Sequence, residues 1–371
     1  MRESFIKQDE ISLYETIEGE NLMFACFRHH LRAVVMFGAG LLSVSAVSAQ
    51  DAVHWRIQSN LNAGEPGYVA LQEKFADLAT EMSGGRITFE IYPVGALFPI
   101  ADGLEAVGAG VTEMAVLTGG YYAGKLGPIA SIESGVPGSL RTPLERFNFF
   151  YKRGFLDIAR EAYQPHGVFY LGPQLSPAWD IMSTKPITSQ ADFNGLKIRA
   201  FGLEAEWYEK MGASPVFLSG GEIYTALATG VLDAARWASP AGNMNNSFHE
   251  VARYYVQPSP MPVPNNFFAV NSQAWEALPD DLKAILQEAA VASSLDYILI
   301  SMNNDAKAMQ EMQAAGVEIS TIPEAEWLAM EAEARTLWQA YAEENELAAR
   351  GVELLNEFLR DLGRLDSAAA E

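Results

Sequence analysis

The chain has 371 residues, of which 49% are hydrophobic and 19% charged, with 25 Lys and Arg against 47 Asp and Glu. That length can bury more than one hydrophobic core, so we expect two domains. A formal net charge of −22 argues against nucleic acid and anionic membrane surfaces as partners, because both are bound through clustered Lys and Arg.

Residues 23–49 are typical of a targeting segment. From Met23 the chain has two arginines, an apolar run over 33–47 and small residues ending at Ala49, which is the pattern of a secretory signal. The apolar run is shorter than the roughly 20 residues needed to span a bilayer, which favours a cleaved signal over a permanent anchor. Residues 1–22 are polar and acidic, unlike the start of a signal sequence, so we expect Met23 to be the true start.

Cys26 is the only cysteine in the sequence, and cleavage after Ala49 would remove it. A mature chain without thiols excludes disulfides, thiolate metal sites and cysteine nucleophiles together. The absence of thiols also suits an oxidising exported compartment. We therefore expect a soluble periplasmic protein.

Strands and helices alternate after Gln50. Residues 54–60 and 86–92 alternate apolar and polar side chains as strands do, and residues 67–83 place their apolar side chains on one helical face. Residues 100–110 are typical of a helix that ends at glycine. Further short apolar strands are predicted at 114–118, 168–171 and 196–199. This alternation predicts an α/β fold with a mostly parallel sheet.

The pattern becomes helical after residue 270. Periodicity predicts helices over 274–294, 301–315 and 324–362, the last being long and rich in Ala, Glu and Leu. No linker or low-complexity segment separates the chain into two halves. Two domains would therefore share the chain by crossing over more than once, and such crossings form hinges.

Catalytic motifs are absent from the sequence. It has no GxSxG elbow, no P-loop, no HExxH and no GxGxxG that opens a helix. His54, His166 and His249 are widely spaced, which favours surface or core histidines over ligands. No pair of acidic residues is spaced as a general acid and base. An enzyme is therefore disfavoured.

Two segments carry a family resemblance. They are 193–199 (FNGLKIR) and 219–237 (SGGEIYTALATGVLDAARW), and together they resemble the solute receptors of TRAP (tripartite, ATP-independent) transporters, the DctP-type family. Matching segments follow in family order at 84–97, 120–125 and 270–286. The greatest likeness is to the 2-oxo acid binders, through the GGxIYxAL element, the Trp after the Asp-Ala pair and the VARYY segment at 251–255.

This resemblance implies a periplasmic binding protein fold of two α/β domains, joined by crossing segments and braced by a long C-terminal helical region. It also implies a receptor that encloses an organic acid and delivers it to a membrane permease, without catalysis. We expect domain I at 50–175 plus about 262–300, domain II at 176–261 plus about 301–323, and a C-terminal long helix and tail at 324–371. The alternative is a periplasmic enzyme or ligand-sensing domain on the same scaffold, since fold does not determine function.

Arg199 matches the family arginine that binds the ligand carboxylate. A guanidinium can form two parallel hydrogen bonds to a carboxylate, and the pair is strong in a closed cleft. Trp237 matches the family position that lines the cleft, although a core tryptophan is the common alternative. Further candidate contacts are Tyr121, Tyr122 and Tyr224, one of which we expect at the ligand, and Asn266.

Arg236 departs from the 2-oxo acid pattern, in which relatives carry Glu immediately before the Trp. A hard cation needs oxygen ligands, so this arginine argues against bound sodium or calcium. It would supply a second positive charge beside Arg199 and favour a second carboxylate or a hydroxy-acid oxygen. The alternative is that Arg236 turns outward or pairs with Glu222 or Asp233.

A second departure lies about 21 residues ahead of Arg199, where relatives carry Gln and this chain has Ala178 followed by Trp179. Trp179 would narrow the pocket or stack on an unsaturated acid. No metal or cofactor is expected. Some relatives dimerise through an additional C-terminal helix, whereas this sequence ends soon after Leu365, so we expect a monomer.

Overall fold

The computed structural model describes residues 52–258 and 264–365. The upstream extension at 1–22 and the signal sequence predicted over 23–49, with Cys26, lie outside the described residues.

The strands of the described chain form two separate sheets. One has five strands in the order β2-β1-β3-β10-β4, and the other has six in the order β11-β9-β5-β8-β6-β7. The strands are β1 Val53–Gln58, β2 Ile87–Tyr92, β3 Met114–Leu117, β4 Val168–Leu175, β5 Ile181–Ser183, β6 Lys197–Arg199, β7 Ser214–Val216, β8 Ala234–Arg236, β9 Tyr254–Gln257, β10 Asn265–Asn271 and β11 Glu318–Thr321. We call the body around the five-stranded sheet lobe I and the body around the six-stranded sheet lobe II.

Each sheet is mostly parallel, as predicted. In lobe I only β10 runs against the other strands, since it pairs antiparallel with both β3 and β4. In lobe II only β5 does so, since it pairs antiparallel with β8 and β9. The chain first enters each lobe from the other through these two strands, whereas the later crossing, from α13 to β11, leads to a parallel strand.

Helices cover both faces of both sheets. They are α1 Pro66–Ala70, α2 Asp77–Met82, α3 Gly103–Gly108, α4 Ala123–Leu126, α5 Pro128–Ser134, α6 Pro143–Tyr151, α7 Phe155–Tyr163, α8 Gly202–Lys210, α9 Gly220–Ala228, α10 Pro240–Asn245, α11 Phe248–Val251, α12 Ser272–Glu276, α13 Asp280–Ala314, α14 Glu324–Gln339 and α15 Glu346–Asp361. A π-helical turn, Leu71–Ala76, joins α1 to α2. In β10, Phe267 and Phe268 point into separate hydrophobic cores on opposite faces of the sheet, as the alternation of a strand requires.

The chain crosses between the lobes several times. Residues 176–180 lead from β4 to β5, and β9 of lobe II precedes β10 of lobe I. Helix α13 packs on β4 and then leads to β11 in lobe II. Finally, α14 packs on α8 and α15 packs on α5 and α7. The predicted α/β architecture of two lobes with crossing segments is confirmed.

The helices after residue 270 are divided differently from the prediction. Residues 274–315 were expected as two helices, but α13 alone runs continuously for 35 residues. The C-terminal region is helical, as expected, but consists of two helices rather than one. The break falls at Asn345, whose backbone is extended and whose side chain accepts a hydrogen bond from the Ala348 backbone N–H, so that α15 has its own N-cap.

Candidate functional site

The candidate site lies where strands of both lobes end. In lobe II, β6 ends at Arg199 and the neighbouring parallel strand β8 ends at Arg236, and the register places Arg199 beside Ala235, one residue before Arg236. Ligands of α/β proteins commonly bind at the carboxyl ends of parallel strands. Between the lobes is a cavity of about 20 Å³, which holds about one water molecule. It is lined by Thr118, Gly120, Ser131, Ser134 and Gly135 of lobe I, by Phe201, Gly202, Leu203, Glu204 and Arg236 of lobe II, and by Pro264.

Arg199 is fully buried, with 0% of its surface exposed. Its Nε donates to the Leu218 carbonyl at 3.2 Å and its Nη1 to the Arg236 carbonyl at 3.3 Å. Its Nη2 donates across the cleft to the Tyr121 hydroxyl of lobe I at 2.9 Å. A guanidinium has five N–H donors, so one N–H on each terminal nitrogen remains for a further acceptor.

Aromatic rings surround this guanidinium. The Arg199 Cζ lies 5.0 Å from the centroid of Phe201 and 5.1 Å from that of Trp237, with Phe217 at 5.7 Å and Tyr121 at 5.9 Å. Ring faces attract a cation but carry no net charge. Within the described part of the chain Arg199 makes no ion pair, so its charge is compensated only by dipoles and ring faces.

Glycines allow this close packing. A Cβ at Gly220 would lie 2.4 Å from the Trp237 ring, so the first turn of α9 accepts the indole only as glycine. A Cβ at Gly120 of lobe I would lie 2.7 Å from Phe201 Cε2 of lobe II. The backbone of one lobe therefore approaches a side chain of the other directly.

Arg236 is also buried and lines the cavity, but it has a carboxylate partner. Its Nη1 lies 3.2 Å from Glu204 Oε2, and both side chains are nearly inaccessible. Its Nε donates to the Trp179 carbonyl at 3.1 Å, and its Cζ lies 5.4 Å from the centroid of that indole. The Trp179 ring stacks near Trp237, with centroids 6.4 Å apart.

The structure excludes the alternative orientations predicted for Arg236. The Arg236 side chain neither turns outward nor pairs with Glu222 or Asp233. Glu222 caps α9 through Ser219, and Asp233 pairs with Lys185. Glu204 was missed by sequence reasoning, although its place five residues after Arg199, in the first turn of the following helix, is a usable signal.

Lobe I contributes polar groups beneath the cavity. Thr118 donates to Asn266 Oδ1 at 2.8 Å, and Asn266 donates to Gln174, so Asn266 supports a cavity residue without lining the cavity. The Ser134 hydroxyl accepts from the Gly120 N–H and donates to Glu133 Oε2.

Glu133 is completely buried below this wall. Tyr170 and Asn265 donate to its Oε1 at 2.7 and 2.6 Å. Burial raises the pKa of Glu133 to about 7, against the opposing hydrogen bonds of Tyr170 and Asn265 and the charge of Arg146. The Arg146 guanidinium donates to the main-chain carbonyl of Glu133 at 3.1 Å and makes no ion pair with its carboxylate.

Two predicted contacts lie away from the site. Tyr122 is buried in lobe I and donates to the Ile100 carbonyl at 2.6 Å. Tyr224 is exposed on α9 and its hydroxyl bonds Glu250 at 3.0 Å. Of the three candidate tyrosines, Tyr121 is the one whose hydroxyl the structure brings to Arg199.

Comparison with known proteins identifies relatives along most of the chain. The family model described as bacterial extracellular solute-binding protein, family 7 (DctP), matches residues 57–345. A monocarboxylate 2-oxoacid-binding periplasmic protein of Nostoc sp. is 28% identical over 273 residues, covering 72% of this chain and 73% of the relative. The C4-dicarboxylate-binding periplasmic protein DctP of Rhodobacter capsulatus is 29% identical over 288 residues, covering 72% of this chain and 77% of the relative.

A solved structure supports the same relationship. The TRAP periplasmic solute-binding protein of Colwellia psychrerythraea, with bound calcium and pyruvate, matches with a TM-score of 0.76 and 25% identity, covering 84% of this chain and 96% of that chain. A cation of this kind needs oxygen ligands. The carboxylate that lines the cavity, Glu204, is bonded to a guanidinium, and the described residues contain no group of three His, Cys, Asp or Glu able to hold a metal.

Proposed function

The chain belongs to family 7 of the bacterial extracellular solute-binding proteins, and from this premise we propose that it is the receptor of a TRAP transporter for a small organic carboxylate. The ligand, a 2-oxo, hydroxy or dicarboxylic acid, binds between the lobes. The receptor then delivers it to the membrane permease subunits.

One observation carries this proposal. Arg199 is a buried guanidinium at the lobe interface, held by two carbonyls and a hydroxyl, with no carboxylate partner among the described residues. A guanidinium stays charged at any physiological pH. A ligand carboxylate would accept the remaining N–H groups and neutralise this charge in a low-dielectric site, where a charge-assisted pair is strongest.

Binding requires the lobes to open, because the cavity holds only about one water molecule. The interlobe contacts include the hydrogen bond between Arg199 and Tyr121, the packing of Tyr121 against Phe201 and Phe217, and the approach of Gly120 to Phe201. The crossings at 176–180 and between β9 and β10 are the segments that would bend. We propose a hinge closure in which the ligand favours the closed form.

Further assignments complete the proposal. We propose export to the periplasm with cleavage near Ala49, a monomeric receptor, and no catalysis, since the named relatives are binding proteins. The proposed domains are 50–175 with about 262–300, 176–261 with about 301–323, and the C-terminal helices. The strands of each sheet fall within these ranges.

A ligand screen followed by one substitution tests the proposal. The purified protein is screened by thermal shift against monocarboxylates, 2-oxo acids, hydroxy acids, dicarboxylates and sugar acids. A ligand at 100 times its Kd adds about 2.7 kcal/mol to the free energy of unfolding, which is readily detected. Arg199→Ala should then weaken the identified acid at least about tenfold in calorimetry, because a buried charged partner is lost.

The matched control is Arg350→Ala. Arg350 forms a surface ion pair with Glu161 in lobe I, and such pairs contribute little. Its affinity should equal that of the wild type. Tight binding by Arg199→Ala, or failure of every organic acid to bind, would reject the proposal.

A further inference from the structure

The two carboxylate oxygens of Glu204 differ in their hydrogen bonding. Oε2 accepts from Arg236 at 3.2 Å, whereas Oε1 is buried and makes no hydrogen bond with any described residue. The side chain is only 4% exposed and lines the interlobe cavity. A buried acceptor without a donor is costly, and more so when it is charged. Apart from the neighbouring Tyr208 hydroxyl, the described residues offer no donor to this oxygen.

Resting on the proposed function, we propose that Glu204 selects carboxylates that carry a hydrogen-bond donor, a hydroxyl or an ammonium group, over the corresponding 2-oxo acids. Arg199 would bind the ligand carboxylate and Glu204 Oε1 would accept from the donor. An oxo group offers only lone pairs, so it would face the lone pairs of Oε1 and leave that acceptor unpaired.

The pairing of Arg236 strengthens this assignment. An Arg236 charge that faced the ligand alone would favour a second carboxylate. Its ion pair with Glu204 makes this part of the cavity close to neutral while keeping both donor and acceptor atoms there. A hydroxyl, which both donates and accepts, matches such a pair, whereas a second carboxylate would lie against Glu204 and be repelled.

Tyr208 is an alternative donor within lobe II. It lies one helical turn after Glu204 on α8, and burial together with the Glu204 charge raises the pKa of its hydroxyl. Among the described residues no partner lies at full hydrogen-bonding geometry to that hydroxyl, but Glu204 is its hydrogen-bonding neighbour. If Glu204 served only to hold Tyr208, removing the hydroxyl would change ligand selection as strongly as altering Glu204.

The experiment measures a selectivity ratio. Calorimetry compares hydroxy and oxo acids of matched carbon skeleton, namely lactate with pyruvate, 2-hydroxyglutarate with 2-oxoglutarate, and mandelate with phenylglyoxylate. For each pair that binds, the hydroxy acid should bind at least about tenfold more tightly, since a polar site left unpaired rejects an analogue strongly. Equal binding, or preference for the oxo acid, overturns the inference but leaves the carboxylate receptor standing. Failure of all organic acids rejects the proposed function instead.

Variants identify the residue responsible. Glu204→Gln exchanges one acceptor for a donor of the same shape, and it should reduce the hydroxy-to-oxo ratio to within about threefold of unity. Glu209→Gln, an exposed position on the same helix, and Tyr208→Phe should keep the wild-type ratio. A ratio lost in Tyr208→Phe would show that Glu204 acts through Tyr208 and would overturn the assignment. Should Glu204→Gln not fold, the wild-type ratio alone decides.

Discussion

Glu133 of lobe I and Arg199 of lobe II are both buried charged side chains that have no ion-pair partner among the described residues. The Glu133 carboxylate accepts hydrogen bonds from Tyr170, Asn265 and Ser134. The Arg199 guanidinium donates to two carbonyls and to Tyr121. Both sit near the cleft, and both are held by neutral polar groups.

The two groups relieve the cost of burial in different ways. A carboxylate can take up a proton, and burial raises the pKa of Glu133 to about 7, so the neutral form is within reach of physiological pH. An arginine cannot release its proton in this range. No described residue supplies an anion that neutralises Arg199. We therefore expect a structural role governed by pH for Glu133, and we propose a role governed by ligand for Arg199.

The largest effect is expected from Glu133→Gln on pH-dependent stability. The pKa of Glu133 is higher in the folded chain than in the unfolded one, so its contribution to the free energy of unfolding is complete below about pH 4.5 and is lost as pH rises through about 7. The loss is on the order of 3 kcal/mol, from 1.36 kcal/mol per pKa unit. Gln keeps an acceptor for Tyr170 and Asn265 but does not titrate. Urea denaturation at pH 5, 6, 7 and 8 should show this decline in the wild type and a flatter profile in the variant.

Glu145→Gln is a control of opposite sign. Burial alone would raise the pKa of Glu145, but the hydrogen-bonded ion pair with Arg364 holds this pKa below its usual value. Its stabilising contribution is therefore present at neutral pH and lost on acidification. Parallel profiles for Glu133→Gln and the wild type would show that Glu133 stays ionised, and the contrast with Arg199 would fail.

Local sequence patterns predicted five of the eleven strands that the structure describes, namely β1 to β4 and β6. The alternation at 86–92 and the apolar strand at 114–118 correspond to β2 and β3 within a residue at each end. The prediction of a single helix over 324–362 was wrong, because the helical period of the apolar residues continues through the break at Asn345. The break depends on the Asn345 side-chain cap and on the lobe that each half packs against. The periodicity of apolar residues gives no information on either.

The site was predictable to a smaller extent. Arg199 was identified through a motif, and its position at a strand end follows from local pattern. The pairing of Arg236 with Glu204 joins a strand to a helix 32 residues away, so only the three-dimensional structure reveals it. The same holds for Tyr121, whose contact with Arg199 spans 78 residues and joins the lobes.

Arg199→Lys separates charge from geometry in lobe II. Lysine keeps the positive charge but presents a single ammonium instead of a planar fork, and it cannot reproduce the three hydrogen bonds of Arg199 together with two to a carboxylate. We expect affinity for the identified acid to fall by about 10- to 100-fold in calorimetry, about 1.4–2.7 kcal/mol. Arg350→Lys is the control. Unchanged affinity in Arg199→Lys would mean that charge alone is sufficient.

Tyr121→Phe tests the hydrogen bond that joins the Arg199 guanidinium of lobe II to lobe I. The ring packs edge-on against Phe201 and Phe217, with centroids 4.8 and 5.2 Å apart, and Phe keeps this packing. Only the hydroxyl that accepts from Arg199 Nη2 is lost, and a single hydrogen bond contributes about 0.5–1.5 kcal/mol. Because this bond joins the lobes, its loss should weaken the closed form and lower ligand affinity by about 2- to 10-fold, with faster dissociation in stopped-flow measurements. Tyr68→Phe, whose hydroxyl bonds within lobe I, should bind normally. Tighter binding by Tyr121→Phe would show instead that the tyrosine hydroxyl competes with the ligand carboxylate for the Arg199 guanidinium. The hydrogen bonds of Arg199 would then all be made within the protein, as those of Glu133 are, until a ligand displaces Tyr121.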